Sequence, residues 1–266
     1  MKAGFIGVGN MGGAILKGLM EKGGQGGAVF AFDRDAKKLD AASRYEGVSV
    51  CGSVGELVWK SEFVVLGVKP DAFEAVLPEI AQHFSSGKVL VSMAAGIDMS
   101  FIEKHLGENA KIIRIMPNTP ALIREGVTAI CGNRNVSAED MKAALSLFEP
   151  IGKTHVVPEE LMHCVVGVSG SSPAYTYMYI ESLAAAAVKN GMEKEQAVDF
   201  AARAVLGAAK MVLEAGEDPK QLRINVCSPG GTTIEAVAEL QKRKFAETIE
   251  AGFQAAVDKS KAMTKS

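Results

Sequence analysis

Several features that mark membrane, nucleic-acid-binding and metal proteins are missing from this sequence. No apolar stretch approaches the roughly 18 residues needed to span a bilayer. The formal net charge is −2, without a basic tail suited to nucleic acid. The four cysteines show no C-x-x-C spacing and the four histidines are isolated, so no metal site is predicted and His163 is interpreted as a packed side chain. We therefore expect a cytoplasmic protein with reduced thiols that binds neither nucleic acid nor a membrane.

What is present is enough apolar material for a large core, arranged in alternating strand-like and helix-like segments. Of the 266 residues, 48% are apolar and 23% are charged. The strand-like runs are continuously apolar, which is typical of strands buried on both faces of a parallel sheet. The first half is therefore predicted to be an α/β domain with a doubly wound sheet. Its predicted strands are 2–8, 28–33, 63–68, 88–93, 110–116, 126–131 and 153–157. Its predicted helices are Met11–Lys22, Asp35–Arg44, Val54–Lys60, Asp71–His83, Ser100–Leu106 and Ser137–Phe148.

After about Pro158 the sequence indicates only helices. Ser172 followed by Pro173 is typical of a helix start, with serine as the cap and proline at the first helical position. Alanine-rich helices such as "YIESLAAAAV" can be buried in their own domain or against a partner subunit, and a homodimer through this half is one expectation. The predicted helices are Ser172–Asn190, Lys194–Ala215, Asp218–Val226, one beginning at Thr232, and Phe245–Lys261.

A G-x-G-x-x-G motif, "GVGNMG", lies between the first predicted strand and the first predicted helix. In dinucleotide-binding domains the first glycine forms a tight turn, the second lets the backbone approach a pyrophosphate, and the third lets the helix pack on the strand. The N–H groups that open the helix attract the anion. The competing interpretation is a glycine-rich turn without a ligand. The residues of the motif that we predict to contact the cofactor are Gly7, Gly9, Asn10, Met11 and Gly12.

The end of the second predicted strand gives conflicting signals about the cofactor. Asp33 stands where an acid binds a ribose diol, which favours NAD. Arg34, with Lys37 and Lys38 nearby, could instead bind the 2′-phosphate of NADP. A third interpretation is that Asp33 only caps the helix that follows. The residues alone leave these alternatives open, and both Asp33 and Arg34 are predicted to be cofactor-binding.

Three further segments follow predicted strands at the edge where ligands bind in this fold. They are "VKP", "MAAGI" and "MPNTP". The small side chains of "MAAGI" would permit a flat ring to approach closely, and Asn118 and Thr119 could form hydrogen bonds near a nicotinamide. A purely structural turn is the alternative for "MPNTP". The residues predicted to line the cofactor here are Val68, Lys69, Pro70, Ala94, Ala95, Gly96 and Asn118.

The segment "NVCSPGGTT" (225–233) stands between two helix-like stretches in the second half. Glycines before a helix N-terminus form an anion site, because N–H groups and the positive end of the helix dipole point at the ligand. The spacing from Thr232 to Glu235 predicts a capping box. Without a Lys or Arg in the segment, a small carboxylate suits it better than a polyphosphate. The alternative is an ordinary loop in which Thr232 only caps the helix. The predicted substrate-binding residues are Ser228, Gly230, Gly231, Thr232 and Thr233.

These motifs, in this order, resemble the pyrroline-5-carboxylate reductases. The resemblance rests on "GVGNMGGAI", "VKP", "MAAGI", "IIRIMPNTPALIREG", "VVGVSGSSPAY" and "VCSPGGTTIEAV" and spans nearly the whole chain. It implies an N-terminal Rossmann dinucleotide-binding domain (1–160) followed by an all-α helical dimerisation and substrate-binding domain (161–266). It also implies the reduction of 1-pyrroline-5-carboxylate to L-proline by NAD(P)H, and homodimers that assemble into higher rings such as a decamer.

The resemblance further implies roles for individual residues. The loop from Ser228 to Thr233 would hold the substrate carboxylate, and Thr233 would contact the ring nitrogen, so Thr233 and Ser228 are the predicted catalytic residues. Many members of the family carry an acid-free segment after the second strand and prefer NADPH. NADPH is therefore implied, whereas Asp33 keeps NADH open. Since a protonated imine is already electrophilic, we expect catalysis by positioning rather than by a titrating His or Lys.

Two other functions are compatible with a dinucleotide domain followed by helices. A 3-hydroxyacid dehydrogenase would carry a catalytic lysine on the long helix, and the alignment of its motif on Gly167 and Gly170 places Thr176 there instead. Alcohol–ketone chemistry would then lack its general acid. A non-catalytic dinucleotide sensor would leave the segment from Ser228 to Thr233 unexplained. A related cyclic imine as a second substrate stays open.

Overall fold

The computed structural model describes residues 1–21 and 27–264, which form two compact units. One unit consists of Met1–Ser171 and the segment from Ala255 onward, and the other is Ser172–Gln254. The division falls at Ser171, whereas the sequence predicted a domain boundary after residue 160. The predicted boundary separates the dinucleotide-binding domain from the dimerisation and substrate-binding domain, whereas the division at Ser171 separates two compact units. The boundary after residue 160 therefore stays a prediction.

The first unit is built on a single eight-stranded sheet. The order of the strands across it is β3-β2-β1-β4-β5-β6-β7-β8. All neighbouring strands are parallel except β6 and β7, which are antiparallel. The predicted doubly wound parallel sheet is therefore confirmed, with one antiparallel pairing. The strands are β1 (Ala3–Ile6), β2 (Val29–Phe32), β3 (Val48–Val50), β4 (Phe63–Leu66), β5 (Val89–Ser92), β6 (Lys111–Met116), β7 (Gly126–Gly132) and β8 (Gly152–Val156).

Helices cover both faces of the sheet. Those of the first unit are α1 (Asn10–Glu21), α2 (Ala36–Ser43), α3 (Val54–Lys60), α4 (Phe73–Ala81), α5 (Met99–Leu106), α6 (Ala138–Phe148) and the short α7 (Met162–Val165). Val64 and Leu66 of β4 pack with α3, α4 and α5, whereas Phe63 and Val65 pack with α1 and α6. Each of these side chains stabilises the fold by about 1.5–3 kcal/mol. The predicted end of α1 at Lys22 lies outside the described residues.

The strand that the prediction missed is β3. It is only three residues long, lies at the edge of the sheet, and leaves Ser49 and Val50 exposed. It therefore lacks the continuous apolar run that identifies the central strands.

The second unit is helical, as predicted. Its helices are α8 (Ser172–Lys189), α9 (Lys194–Ala215), α10 (Pro219–Asn225), α11 (Thr232–Lys242) and the first part of α12 (Phe245–Ala262). Gly216 adopts the left-handed conformation that ends α9, and the Asp218 carboxylate accepts hydrogen bonds from two N–H groups of α10. The prediction of Ser172 as an N-cap was wrong, because Ser172 is the first helical residue. The chain before it already turns helically, through α7 and the π-helical turn Val166–Gly170.

Much of the apolar surface of α8 and α9 is exposed in the single chain. The two helices pack on each other, and the residues they bury are the small Ala184, Ala197 and Ala201. Phe200 is 65% exposed and Leu213 is 82% exposed. Exposed large apolar side chains in such numbers on two neighbouring helices are typical of a subunit interface. The large apolar side chains of these helices that remain exposed are Tyr177, Met178, Tyr179, Leu183, Val188, Val198, Phe200, Leu206, Met211, Val212 and Leu213.

Candidate functional site

The predicted cofactor-binding segments follow strands that are neighbours in the sheet. The strands β2, β1, β4, β5 and β6 lie side by side and run parallel. The loops at their carboxyl ends therefore meet at one edge. The direction in which strands are added reverses between β1 and β4, which is where dinucleotides bind in open α/β sheets. The contacts of individual residues with a cofactor stay predictions.

The glycine motif has the geometry that the sequence predicted for it. Gly7 has a φ of 91°, which side-chain-bearing residues rarely adopt. A Cβ on Gly12 would lie far inside van der Waals contact of the Gly7 carbonyl oxygen, so only glycine lets α1 approach β1 this closely. Among the described residues, leaving out its neighbours in the chain, the nearest atom to a Cβ on Gly9 would be the Lys38 Nζ at 3.9 Å, so the backbone is open on that side. The turn therefore fits a bound pyrophosphate above the first turn of α1.

The loop after β4 lies directly against the glycine motif. The Gly67 N–H donates to the Ile6 carbonyl oxygen over 2.8 Å, and a Cβ on Gly7 would come within 2.8 Å of Gly67. Val68 and Pro70 are half-buried beside this contact, whereas Lys69 is exposed at the cap of a short 3₁₀-helix. As an exposed cation, Lys69 can attract an anion, and its contact with a cofactor stays a prediction.

The carboxylate of Asp33, after β2, is bound to the glycine motif. One of its oxygens accepts a hydrogen bond from the Val8 N–H over 2.9 Å, and the other accepts one from the Asp35 N–H over 2.9 Å. The interpretation of Asp33 as a helix cap was wrong. The N-cap of α2 is Asp35, whose side chain accepts from the Lys37 N–H. Arg34 is exposed.

The loop after β5 is packed tightly by its surroundings. Ala94 is buried in the core, and Gly96 is buried with a φ of 73°, where a Cβ would lie 2.7 Å from the Met263 carbonyl oxygen. Of the three predicted residues here, only Ala95 is partly exposed. Ala95 is therefore the one whose side chain can reach a ligand directly.

A buried arginine fixes the end of the same loop. Arg114 of β6 is 1% exposed and donates to the carboxylates of Asp98 over 2.7 Å and Glu159 over 3.0 Å. The same Glu159 oxygen also accepts a hydrogen bond from the Met99 N–H, at the start of α5. The ion pair therefore ties the loop after β5 to the sheet and to the chain before α7. Neither Arg114 nor Glu159 is among the residues predicted from the sequence, although an arginine within an otherwise apolar strand is a signal for a buried ion pair.

Asn118, after β6, already has protein partners. It is 8% exposed, its amide nitrogen donates to the Ser169 carbonyl oxygen over 3.2 Å, and its amide oxygen accepts from the Val127 N–H over 2.9 Å. These bonds give Asn118 a structural role in shaping the turn. Its contact with a cofactor stays a prediction.

Two titratable side chains near Arg114 have shifted pKa values. Burial, with the negative charge of Glu159 nearby, raises the pKa of the Cys131 thiol to about 12. Burial and the Arg114 guanidinium lower the pKa of His163, whose Nδ1 lies 3.0 Å from the Ser260 hydroxyl oxygen. At neutral pH the thiol stays protonated and the imidazole stays neutral, so neither group is suited to acid–base or nucleophilic chemistry. The interpretation of His163 as a packed histidine agrees with this environment.

The lowered pKa of His163 predicts a pH-dependent stability. Unfolded His163 regains its ordinary pKa of about 6.5, so below that pH the unfolded state takes up a proton that the folded state resists. The free energy of unfolding should therefore fall as the pH drops from 7.5 to 5.5, and by less in His163→Gln. Urea denaturation at both pH values measures this. An equal fall in the two proteins would contradict the assignment.

The segment Ser228–Thr233 lies in the second unit and forms a tight turn before α11. Gly230 has a φ of 71°, and the Gly231 N–H donates to the Ser228 carbonyl oxygen over 3.0 Å. Ser228, Gly230, Thr232 and Thr233 are exposed, whereas Gly231 is half-buried. A Cβ on Gly231 would lie 2.7 Å from the Ser228 hydroxyl oxygen. The hydroxyl-bearing residues of the turn are therefore accessible to a ligand, as are the first residues of α11.

The capping box predicted from Thr232 to Glu235 was wrong. The N-cap of α11 is Gly231, in an extended conformation and without a side-chain cap, and Thr232 is the first helical residue. The turn at Gly230 starts the helix one residue earlier than the Thr-x-x-Glu spacing indicated. As a result no threonine side chain caps the first-turn N–H groups, and these donors can bind an anion.

Among residues 1–21 and 27–264, no cluster of three or more His, Cys, Asp or Glu side chains is arranged to hold a metal ion. Over the same residues, no helix combines the length and the apolar character needed to cross a bilayer.

Comparison with known proteins agrees with both halves of this arrangement. Residues 159–263 match the family described as pyrroline-5-carboxylate reductase dimerisation. Residues 2–96 match the family described as NADP oxidoreductase, coenzyme F420-dependent. A pyrroline-5-carboxylate reductase of Escherichia coli is 43% identical over 266 residues, which covers 100% of this chain and 99% of the relative. The chain belongs to the pyrroline-5-carboxylate reductase family.

Solved structures of reductases of this family have the same fold. A pyrroline-5-carboxylate reductase from Coxiella burnetii is 33% identical and superposes with a TM-score of 0.93, covering 99% of this chain and 98% of that one. A pyrroline carboxylate reductase from Plasmodium falciparum with NADP bound is 32% identical, with a TM-score of 0.89 over 100% of this chain and 98% of that one. The expected Rossmann domain and helical dimerisation region are thereby confirmed.

Proposed function

We propose that this protein is a pyrroline-5-carboxylate reductase, an oxidoreductase that reduces the C=N bond of 1-pyrroline-5-carboxylate with NAD(P)H to give L-proline. This is the final step of proline biosynthesis, and we expect it to take place in the cytoplasm. The observation that carries the proposal is the exposed turn Ser228–Thr233 at the uncapped start of α11, in a chain that also has the glycine turn and strand order typical of a dinucleotide-binding sheet.

The turn supplies what a small cyclic imino acid requires. The first-turn N–H groups of α11 bind the carboxylate, helped by the positive end of the helix dipole. Apart from the neighbours of Gly230 in the chain, no atom of the described residues lies within 4 Å of a Cβ placed there, so the ligand can approach the backbone. The hydroxyls of Ser228 and Thr233 can donate or accept hydrogen bonds. Thr233 orients the ring nitrogen, and the Ser228 hydroxyl forms a further hydrogen bond with the carboxylate.

For the cofactor, the glycine motif binds the pyrophosphate. The segments Val68–Pro70 and Ala94–Gly96, which follow strands, line the nicotinamide. When bound, the reduced nicotinamide supplies the hydride. The imine carbon accepts the hydride, its π bond breaks, and the nitrogen, already protonated, retains its proton in the product amine. The chain has to hold the ring in position rather than provide a strong acid, which is catalysis by proximity.

The exposed apolar surface of α8 and α9 supports a homodimer formed through the helical half. Burying side chains such as Phe200, Met211 and Leu213 against a second copy would remove them from water at about 25 cal/mol per Å². We infer that the dimer is the basic unit and that rings of dimers, such as a decamer, are built from it.

The alternative functions lack a matching observation. The position of the lysine in a 3-hydroxyacid dehydrogenase is held by Thr176, whose hydroxyl donates to the Ser172 carbonyl oxygen within α8. A sensor without catalysis leaves the turn at Ser228 without a role. A related six-membered cyclic imine presents the same carboxylate and nitrogen, and it is a second candidate substrate for the same turn.

The deciding experiment is the steady-state oxidation of NADH and NADPH by the purified protein with 1-pyrroline-5-carboxylate. We expect turnover that falls about thirtyfold in kcat/KM in Thr233→Ala, because a hydrogen bond to a charged group is lost. Thr233→Ser should recover most of the rate. The matched control is Thr248→Ala, on an exposed helical threonine whose hydroxyl donates to the Lys244 carbonyl oxygen. Cofactor binding without turnover would refute the reductase and favour the sensor.

A further inference from the structure

The Asp33 carboxylate is held in a fixed orientation at the edge of the cofactor site. It is half-buried, and each of its oxygens accepts one backbone N–H at 2.9 Å. One of these donors, Val8, is the residue between the first two glycines of the motif. Hydrogen bonds to an ionised acceptor are stronger than neutral ones. The carboxylate therefore cannot readily rotate away from a ligand bound over the glycine turn.

A carboxylate fixed here distinguishes the two nicotinamide cofactors at the adenosine ribose. In this fold the acid after the second strand faces the ribose 2′ position. Each carboxylate oxygen keeps a free lone pair after accepting its N–H bond, so it can accept a hydrogen bond from a 2′-hydroxyl. A 2′-phosphate offers no such proton near neutral pH and adds between about −1.5 and −2 charges. The geometry therefore favours the hydroxyl and opposes the phosphate.

The neighbouring cations do not reverse this preference. The Lys38 ammonium lies 3.9 Å from the position of a Cβ on Gly9, beside the turn that binds the pyrophosphate. Both cofactors share that pyrophosphate, so a contact of Lys38 with it does not distinguish them. Its charge is also offset by Asp35, whose carboxylate lies 4.0 Å away. Arg34 is exposed, and no hydrogen bond or ion pair with the other described residues fixes its guanidinium.

We propose that Asp33 is the specificity-determining residue for the cofactor and that this protein binds NADH in preference to NADPH. The inference rests on the proposed function and narrows it. The proposed preference for NADH differs from the preference for NADPH that the family resemblance implies. The difference follows from Asp33, because many members of the family have no acid in this segment.

Cofactor binding without substrate tests this independently of turnover. The dissociation constants of NADH and NADPH are measured by calorimetry and by the change in nicotinamide fluorescence. In the unmodified protein we expect NADH to bind at least about tenfold more tightly, since a fixed carboxylate faces the added phosphate. In Asp33→Ser we expect the ratio of the two constants to shift at least about thirtyfold towards NADPH. Asp33→Asn keeps the shape of the side chain and should shift the ratio in the same direction.

The matched control is Asp40→Ser, which removes the same charge from an exposed acid of α2 that pairs with Arg44. It should leave the ratio unchanged. Tighter binding of NADPH by the unmodified protein, or an unchanged ratio in both Asp33 variants, would overturn the proposal. A ratio that depends on Arg34→Ala rather than on Asp33 would also overturn it. These outcomes test the cofactor preference alone. The proposed reductase function is refuted only if the protein binds a cofactor and shows no turnover.

Discussion

Replacing Gly12 by alanine is expected to abolish productive cofactor binding and to destabilise the first unit. The added Cβ would collide with the carbonyl oxygen of Gly7, a backbone atom that cannot rotate away. The helix α1 must then move off β1. Overpacking of this kind costs about 3 kcal/mol of unfolding free energy. A displacement of about 1 Å at a binding turn can weaken function roughly a hundredfold, and we expect at least that loss of affinity for NADH.

The control for this prediction is the neighbouring glycine of the same helix. A Cβ on Gly13 would lie 3.1 Å from the Val8 carbonyl oxygen, a contact that a small adjustment relieves. Gly13→Ala should therefore retain nearly normal stability and affinity. Thermal unfolding and NADH titration of the two variants give the comparison. If Gly12→Ala and Gly13→Ala have the same thermal stability and the same affinity for NADH, the close approach of α1 to β1 does not depend on the absence of a side chain at Gly12.

Replacing Arg114 by methionine is expected to lower the free energy of unfolding by about 3 kcal/mol, the usual cost of breaking a buried ion pair from one side. The two carboxylates that Arg114 binds would remain without a cation at this position. Because Asp98 ends the loop after β5, we also expect weaker NADH binding from a loop that is no longer fixed. Urea denaturation and cofactor titration measure the two effects.

Two further variants separate charge from shape in this prediction. Arg114→Met combined with Asp98→Asn and Glu159→Gln should recover much of the lost stability, since no unpaired charge remains. The exposed pair of Arg44 with Asp40 provides the control, and Arg44→Met should change the stability by less than about 1 kcal/mol. A triple variant as unstable as Arg114→Met alone would show that packing, not charge, determines the loss.

The sequence was sufficient for the features that depend on local pattern. The central strands were predicted because both of their faces are apolar, and the glycine motif because its spacing reflects contacts within one strand–turn–helix unit. The start of α11 was placed one residue late, because the spacing of Thr232 and Glu235 carries no information about the turn at Gly230. The short strand β3 was missed because its residues are largely exposed.

The features that could not be predicted depend on residues that are distant in the sequence. Nothing near Arg114 identifies Glu159 as its partner, because the two are brought together only by the folded sheet. Similarly, the conflict between Asp33 and Arg34 could not be resolved from residue types. The structure adds that the Val8 N–H binds the Asp33 carboxylate while Arg34 is exposed, and the proposed preference for NADH rests on this difference.

The C-terminal part of α12, which belongs to the first unit, has a consequence for the synthesis of the protein. The hydroxyl of Ser260 meets His163 across 97 residues of chain, and Gly96 packs against the Met263 carbonyl oxygen. During synthesis on the ribosome, the sheet can therefore form early. The loop after β5 gains its contact with Met263 only after the whole helical segment has been translated. Contacts of such long sequence separation slow folding. We expect the dinucleotide site to become competent late, only after the residues that form the second unit have emerged.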